Sequence, residues 1–227
     1  MSTQRTLSPE PLEMIASASR RPGPSDGRRA TNRRRREDTL RQEALRLFGE
    51  RGLEAVAVED IAAAAGMSKS NFYRYAANKD ELVVALFAPF KDAIFAAFDR
   101  CDAACMRATE PRELTAAYMA LAFELLKLVE AEREVVMLFL QEARGPDHGA
   151  RMPIRALERE LLARSVSLTE IAHRHGTLRK IPATVSAFIV VGAVERLLLA
   201  YLRDGVFRNA GEVVQALVRL VMEGITG

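Results

Sequence analysis

Residues 44–82 read ALRLFGERGLEAVAVEDIAAAAGMSKSNFYRYAANKDEL, and the punctuation of this stretch decides the fold. Leu40, Ala44, Leu47 and Phe48 recur at helical spacing, and Gly52 closes that helix as a C-terminal cap. A second short helix covers roughly 58–65 and stops at Gly66. Ser68 is an N-cap for a third, 69–75. Asn78, with Glu81 three residues on, opens a fourth as a capping box. Ile61, Ala62, Ala65 and Met67 supply small and apolar contacts between the second and third helices, and Gly66 supplies the left-handed turn. Short helices broken in this way have the spacing of a helix-turn-helix, a motif that sets one helix into a DNA major groove.

Downstream of this stretch the apolar spacing stays helical. The fourth helix carries a stripe through Val83, Phe87, Phe90, Ile94, Phe98, Cys101 and Cys105, with Pro89 inside it. A proline there removes one backbone hydrogen bond, so a kink is expected near 85–89. Pro111 opens a helix striped by Leu114, Tyr118, Leu121, Leu125 and Leu128. Further helices are expected over 134–144, from about 154 to Gly176, over 184–204 and over 212–224, the last capped by Asn209. No strand-like alternation competes, and the chain reads as all-α. Residues 34–80 are expected to form the helix-turn-helix domain and 81–227 a larger helical domain that controls it.

Upstream, the segment 1–33 reads as a disordered, Arg-rich arm punctuated by Pro22, Gly23, Pro24, Asp26 and Gly27, with Met14 as a second candidate start. Residues 1–36 hold nine Arg against Glu10, Glu13 and Asp26, a net of +6. The whole chain is +3, which leaves −3 for 37–227. A basic arm on a slightly acidic body suits a polyanion such as DNA, with Arg33, Arg34, Arg35 and Arg36 nearest the reading domain.

Composition excludes other classes. Pro9, Glu10, Pro11 and Glu13 stand where a signal peptide needs an apolar core. No apolar run is expected to reach the ~18 residues of a membrane span, because Glu195 and Arg196 interrupt the longest. Two cysteines without a secretory signal fit a reducing, cytoplasmic setting. No phosphate loop, dinucleotide fingerprint or nucleophile–base spacing is present, so neither an enzyme nor a cofactor or metal site is expected. Cys101 and Cys105 lie on an apolar stripe and read as buried thiols. His173 and His175 face different sides of a helix, a poor metal geometry. Glu195 reads as a solvent or dimer-contact residue rather than an acid aimed into a pocket.

The run Phe48, Arg51-Gly52, Val58, Asp60-Ile61-Ala62, Ala65-Gly66, Ser68-Lys69, Tyr73, Tyr75 and Lys79 resembles the DNA-binding domain of the TetR family of one-component regulators. Residues 192–202 look like that family's penultimate helix. The resemblance implies that Phe72 points into the three-helix core. It implies that Lys69, Ser70, Asn71 and Arg74 reach base edges, where Arg can pair with guanine and Asn with adenine. Tyr73, Tyr75 and Lys79 would hold phosphates. Two positions depart from the family. Val56 and Ala57 replace hydroxyl residues entering the second helix, and Ala76 replaces a larger apolar residue.

The last two helices are apolar on more than one face, through Ile189, Ala193, Leu197 and Ala200, and through Val213, Leu217, Val218 and Val221. A helix apolar on both sides needs the core on one and a partner on the other. The resemblance implies that they form an intersubunit four-helix bundle. It also implies a pocket lined by Phe87, Phe90, Tyr118, Leu121 and Phe139 for an apolar or amphipathic small molecule, which assigns effector binding and dimerisation to 81–227. The expected function is that of a homodimeric, ligand-responsive transcriptional repressor of a palindromic double-stranded operator. An effector-free architectural DNA-binding protein and an activator stay open as alternatives.

Overall fold

The computed structural model describes residues 24–178 and 181–223 of the chain, and every element among them is helical. In order these are α1 (Pro24–Arg51), α2 (Val58–Ala64), α3 (Lys69–Phe72), α4 (Lys79–Arg107), α5 (Pro111–Ala131) and α6 (Arg133–Glu142). A 3₁₀ turn (Gly149–Arg151) then leads into α7 (Met152–Arg174), α8 (Ala183–Leu202) and α9 (Ala210–Glu223). The all-α expectation holds.

The chain divides into two compact units, residues 1–36 and 37–227. In the first, the described residues correct an expectation. Residues 24–33, read as part of a disordered arm, are helical from Pro24, and Thr31 Oγ1 donates to Gly27 O (2.8 Å). The remainder of the arm, residues 1–23, lies outside the described residues. Residues 28–36 are rich in Arg, a good helix former, and Pro24 occupies a first-turn position where its missing N–H costs nothing.

Within the second unit the glycine punctuation works as read. Gly52 (φ 79°) and Gly66 (φ 64°) both adopt the left-handed conformation that side chains resist. Ser68 accepts from Asn71 N (3.2 Å) and Asn78 Oδ1 from Glu81 N (2.8 Å), so both expected caps form. Glu81 reaches back one residue further than expected, to Ala77 N (2.9 Å). α2 has no side-chain cap. Its entry residue Val56 is buried in the core, and Asp60 Oδ2 instead accepts from Ala57 N (3.1 Å). Ala76 is buried too, between the end of α3 and the start of α4 in the chain.

The stripe on α4 is buried along its whole length, from Val83 to Cys105. Each large side chain so enclosed contributes about 1.5–3 kcal/mol, which makes α4 the central post of the bundle. It packs chiefly on α5 and α7, while α5 packs on α9 and α7 on α8. α4 runs through Pro89 as one helix. Next to the carbonyl that Pro89 leaves without its amide partner, Leu86 O accepts from Arg41 Nη1 of α1 (2.9 Å).

Candidate DNA-reading face and ligand cavity

The reading segment starts at the Ser68 cap and places Phe72 inward, fully buried, as the resemblance implied. With Phe72 fixed, Lys69, Ser70, Tyr73 and Arg74 are exposed, and Asn71 and Tyr75 are partly so. α3 proper ends at Phe72, and residues 73–75 continue it as turns. Arg74 N donates to Asn71 O (3.1 Å), while its side chain has no hydrogen bond or ion pair among the described residues. Lys69 is differently placed. It pairs with Glu59 of α2 and lies 6.0 Å from the Tyr73 ring. That bond holds Lys69 above, and Glu59 below, their ordinary ranges. The pair braces α2 against α3, so any incoming anion would compete with Glu59 for this ammonium.

Lys79 departs further from its expected role. Its Nζ donates to Leu53 O (2.7 Å) and Val56 O (3.2 Å), both in the loop between α1 and α2. The ammonium therefore fastens the first turn of α4 to the helix-turn-helix, with one of its three N–H groups left for a phosphate. Of the arm residues, Arg33, Arg34, Arg35 and Arg36 are all exposed on α1.

The larger helices enclose a cavity of about 310 Å³. Its wall takes Phe90 and Phe98 from α4, Tyr118 and Leu121 from α5, Val136 and Phe139 from α6, and further residues from α7, α8 and α9. Four of the five expected pocket residues are there. Phe87 is not, because it is buried in the core to one side of the wall. The expected dimer residues fall into two sets within the chain. Leu197, Val213, Leu217, Val218 and Val221 line the cavity, and Ala200 and Val218 are buried within the chain. Ile189 does face outward, at 61% exposure, beside Phe188 at 59%, Val185 and, on α9, Leu220. Helical periodicity could not separate cavity wall from outer face, since both are apolar.

Glu195 does not take the solvent or dimer-contact position expected of it. Its side chain is 15% exposed, lines the cavity and pairs with Arg144 Nη2 (2.8 Å). The partner comes from just beyond the end of α6, far along the chain, where a three- or four-residue search does not reach. A second carboxylate, Glu158, lines the same wall and pairs with Arg155, which also donates to Ala143 O. The helix that carries Glu195 corrects another expectation. Ala183–Leu202 is long and apolar enough to cross a membrane by length and composition, since two charges do not lower a 20-residue helix below that threshold. Cys101 and Cys105 are buried with sulfurs 3.9 Å apart, and burial raises both thiols above their ordinary range.

Two sets of charged contacts that the sequence pattern does not reveal join α6 to the helix-turn-helix. At its start, Glu132 pairs with Arg41, the same side chain that holds Leu86 O. At its end, buried Glu142 accepts from Leu53 N (3.1 Å) and from Arg151 Nε (2.6 Å), and Arg151 reaches on to Glu54 (2.9 Å). A buried carboxylate among apolar residues was the one sequence signal available, and it does not name its partner.

Known proteins share this fold. Residues 40–86 match the family described as bacterial regulatory proteins, tetR family. The HTH-type transcriptional repressor KstR2 of Mycolicibacterium smegmatis is 33% identical over 110 residues, which are 48% of this chain and 50% of that protein. The match thus spans about half the length of that repressor. Among solved structures, the ketosteroid transcriptional regulator KstR2 of Mycobacterium tuberculosis is 25% identical. It covers 85% of this chain and 95% of its own, with a TM-score of 0.64. FadR of Bacillus subtilis, solved in complex with stearoyl-CoA, is 14% identical and shares the fold, with a TM-score of 0.63 over 83% of this chain and 99% of its own.

Proposed function

We propose that this chain, a transcriptional regulator of the TetR family and not an enzyme, is a homodimeric repressor that a small apolar or amphipathic molecule releases from a palindromic operator. One observation carries the reading. The cavity wall is shared by α4 and α6, and both helices are bonded to the helix-turn-helix, α4 through Lys79 and Leu86 O and α6 through Glu132 and Glu142. A molecule that fits one arrangement of these helices better than another shifts the reading helix by that difference in affinity.

The relatives support the ligand class. One is named for ketosteroids and another is solved with stearoyl-CoA, both with large hydrocarbon bodies. An almost wholly apolar wall suits such a body. On the DNA, Arg74 and Asn71 read bases, Lys69 and Ser70 stand beside them, and Tyr73, Tyr75 and the remaining N–H of Lys79 hold phosphates. The second copy covers Val185, Phe188, Ile189 and Leu220, an exposed apolar set on α8 and α9. Such a dimer presents two reading helices to a two-fold site in the cytoplasm.

The test is footprinting of the purified protein on the DNA upstream of its own gene. A protected palindrome that opens on adding a long-chain acyl compound supports the reading. Protection unaffected by any compound that raises the protein's Tm would favour an effector-free DNA-binding protein.

A further inference from the structure

We infer that Cys101 and Cys105 form a second ligand site, a buried dithiol that the arsenic atom of a trivalent organoarsenical bridges to give an uncharged adduct. The site lies on α4 and does not depend on which effector the cavity takes. These two are the chain's only cysteines.

Geometry sets aside the simplest alternative, a disulfide. The residues stand one turn apart on α4, with their sulfurs 3.9 Å from each other. A disulfide needs an S–S bond of ~2.05 Å and Cβ atoms ~3.5–4.5 Å apart. Helix residues four apart hold their Cβ atoms at ~5–6 Å. Closing the bond would therefore distort a turn of the central post. An inserted atom supplies the missing length. Two bonds of ~2.3 Å, the scale of sulfur bonds to a thiophilic centre, span the observed gap at about 116°. No helical turn has to open.

Charge then decides which atom fits. Both thiols are buried, and burial raises each above its ordinary range, with the Asp102 carboxylate adding to it. Asp102 has Arg164 at one oxygen (3.3 Å), while its Oδ1 is buried without a partner. An adduct with a net negative charge would stand beside that carboxylate in a desolvated place, at a high cost. Copper(I) on two thiolates carries such a charge. Zinc on two thiolates is neutral but needs two more protein ligands, and no group of three or more His, Cys, Asp or Glu suited to a metal exists among the described residues.

An arsenical of the form R–As=O meets both conditions. The As–O bonding and two S–H bonds break, two As–S bonds form, and the oxygen leaves with both protons as water. Arsenic stays trivalent, and the product is neutral and three-coordinate. Its organic group suits the surroundings. Tyr118 lines the cavity, and both thiols act on its phenol, which burial already pushes up. Phe98, three residues before Cys101 on α4, lines the same wall. An uncharged reagent with an apolar group can reach the pair from that side.

The experiment uses the full chain and phenylarsine oxide in excess glutathione, a monothiol that strips arsenic from single cysteines. Intact-mass spectrometry reads the adduct and thermal shift reads the fold. The unaltered protein should take up one phenylarsenic group, hold it against glutathione, release it to dithiothreitol and gain in Tm, as for any ligand of the folded chain. C101A and C105A should each hold it about a hundredfold more weakly, the scale on which a second linked contact adds to the first. Either variant suffices should the other not fold. Diamide, which oxidises thiol pairs, should not close a disulfide in the folded chain. Retention by a single variant equal to that of the unaltered protein would overturn the inference. So would no retention by the folded protein, or rapid disulfide closure by diamide. A Tm lowered by the arsenical would overturn it too, since the reagent would then be capturing the unfolded chain.

Discussion

Glu142 gives the sharpest test of how the helix-turn-helix is held to the larger helices. Its carboxylate is 5% exposed and accepts from Leu53 N and Arg151 Nε. In Glu142→Ala the Leu53 amide loses its acceptor in a buried setting, which costs ~1–3 kcal/mol. Breaking a buried ion pair from one side costs ~3–5 kcal/mol. Arg151 keeps Glu54, however, and Glu54 is half exposed, so the guanidinium is not stranded. The total should be about 3 kcal/mol, and for a chain of this size that lowers Tm by ~6–12 °C. Glu142→Gln keeps an acceptor for Leu53 N but turns an amide N–H₂ toward a guanidinium. It should lose roughly half as much.

The assay is thermal unfolding followed by circular dichroism, alongside operator affinity by gel shift. Operator affinity should fall in both variants, because Leu53 and Glu54 lead directly into α2. A loss of less than ~2 °C for Glu142→Ala would mean that water replaces the carboxylate at no cost and that Glu142 does not hold the two parts together.

Arg74→Ala should cost ~1–3 kcal/mol of operator affinity and relax preference at one base position; a gel-shift series with unchanged affinity and preference would remove Arg74 from the reading set. Deleting residues 1–36, a compact unit by itself, should leave the fold of 37–227 intact. It should also flatten the salt dependence of DNA binding by ~0.9 in log–log slope for each phosphate that the arm neutralises, which a salt titration measures. Phe188→Asp with Ile189→Asp should yield monomers by light scattering and abolish protection of the palindrome, while a dimer that survived both charges would place the interface elsewhere.

Local signals were legible and distant ones were not. Gly52, Gly66, Ser68 and Asn78 act within a turn or two of their own positions, so the helix-turn-helix could be read directly from their spacing. The stripe on α4 was equally clear, because burial of every third or fourth residue leaves a periodic trace. Periodicity reports that a face is buried without saying what buries it. Leu197 and Val213, read as a dimer face, also line the cavity, and Phe87, read as cavity, is core. Charged pairs suffer most. Glu195 with Arg144, Glu142 with Arg151 and Leu53, and Arg41 with Glu132 are bonded across the fold, where neither spacing nor composition records a partner. Lys79 shows the same limit, since its position suggested a phosphate clamp and gave no sign of the two carbonyls that also hold it.

The two attachments of α6 are unequal, and the inequality sets which one a ligand can move. The Glu142 end is buried and doubly bonded, worth about 3 kcal/mol on the reasoning given for Glu142→Ala. The Glu132 end pairs with Arg41 where both side chains are about a third exposed. Solvent screening reduces that ion pair to ~0–1 kcal/mol, and the bond from Arg41 to Leu86 O adds ~1 kcal/mol. Effector coupling is typically ~1–3 kcal/mol. It can therefore displace the Arg41 attachment but not the Glu142 one. On that basis we expect α6 to pivot at its C-terminal end, with its N-terminal end moving against α4. Arg41→Ala should lower Tm less than Glu142→Ala, lower ligand-free operator affinity a few-fold, and shrink the further weakening caused by a bound long-chain acyl compound to within about twofold. The measurement is operator affinity with and without a saturating long-chain acyl compound for both proteins. A full ligand effect in Arg41→Ala would show that the signal leaves the cavity along α4 alone.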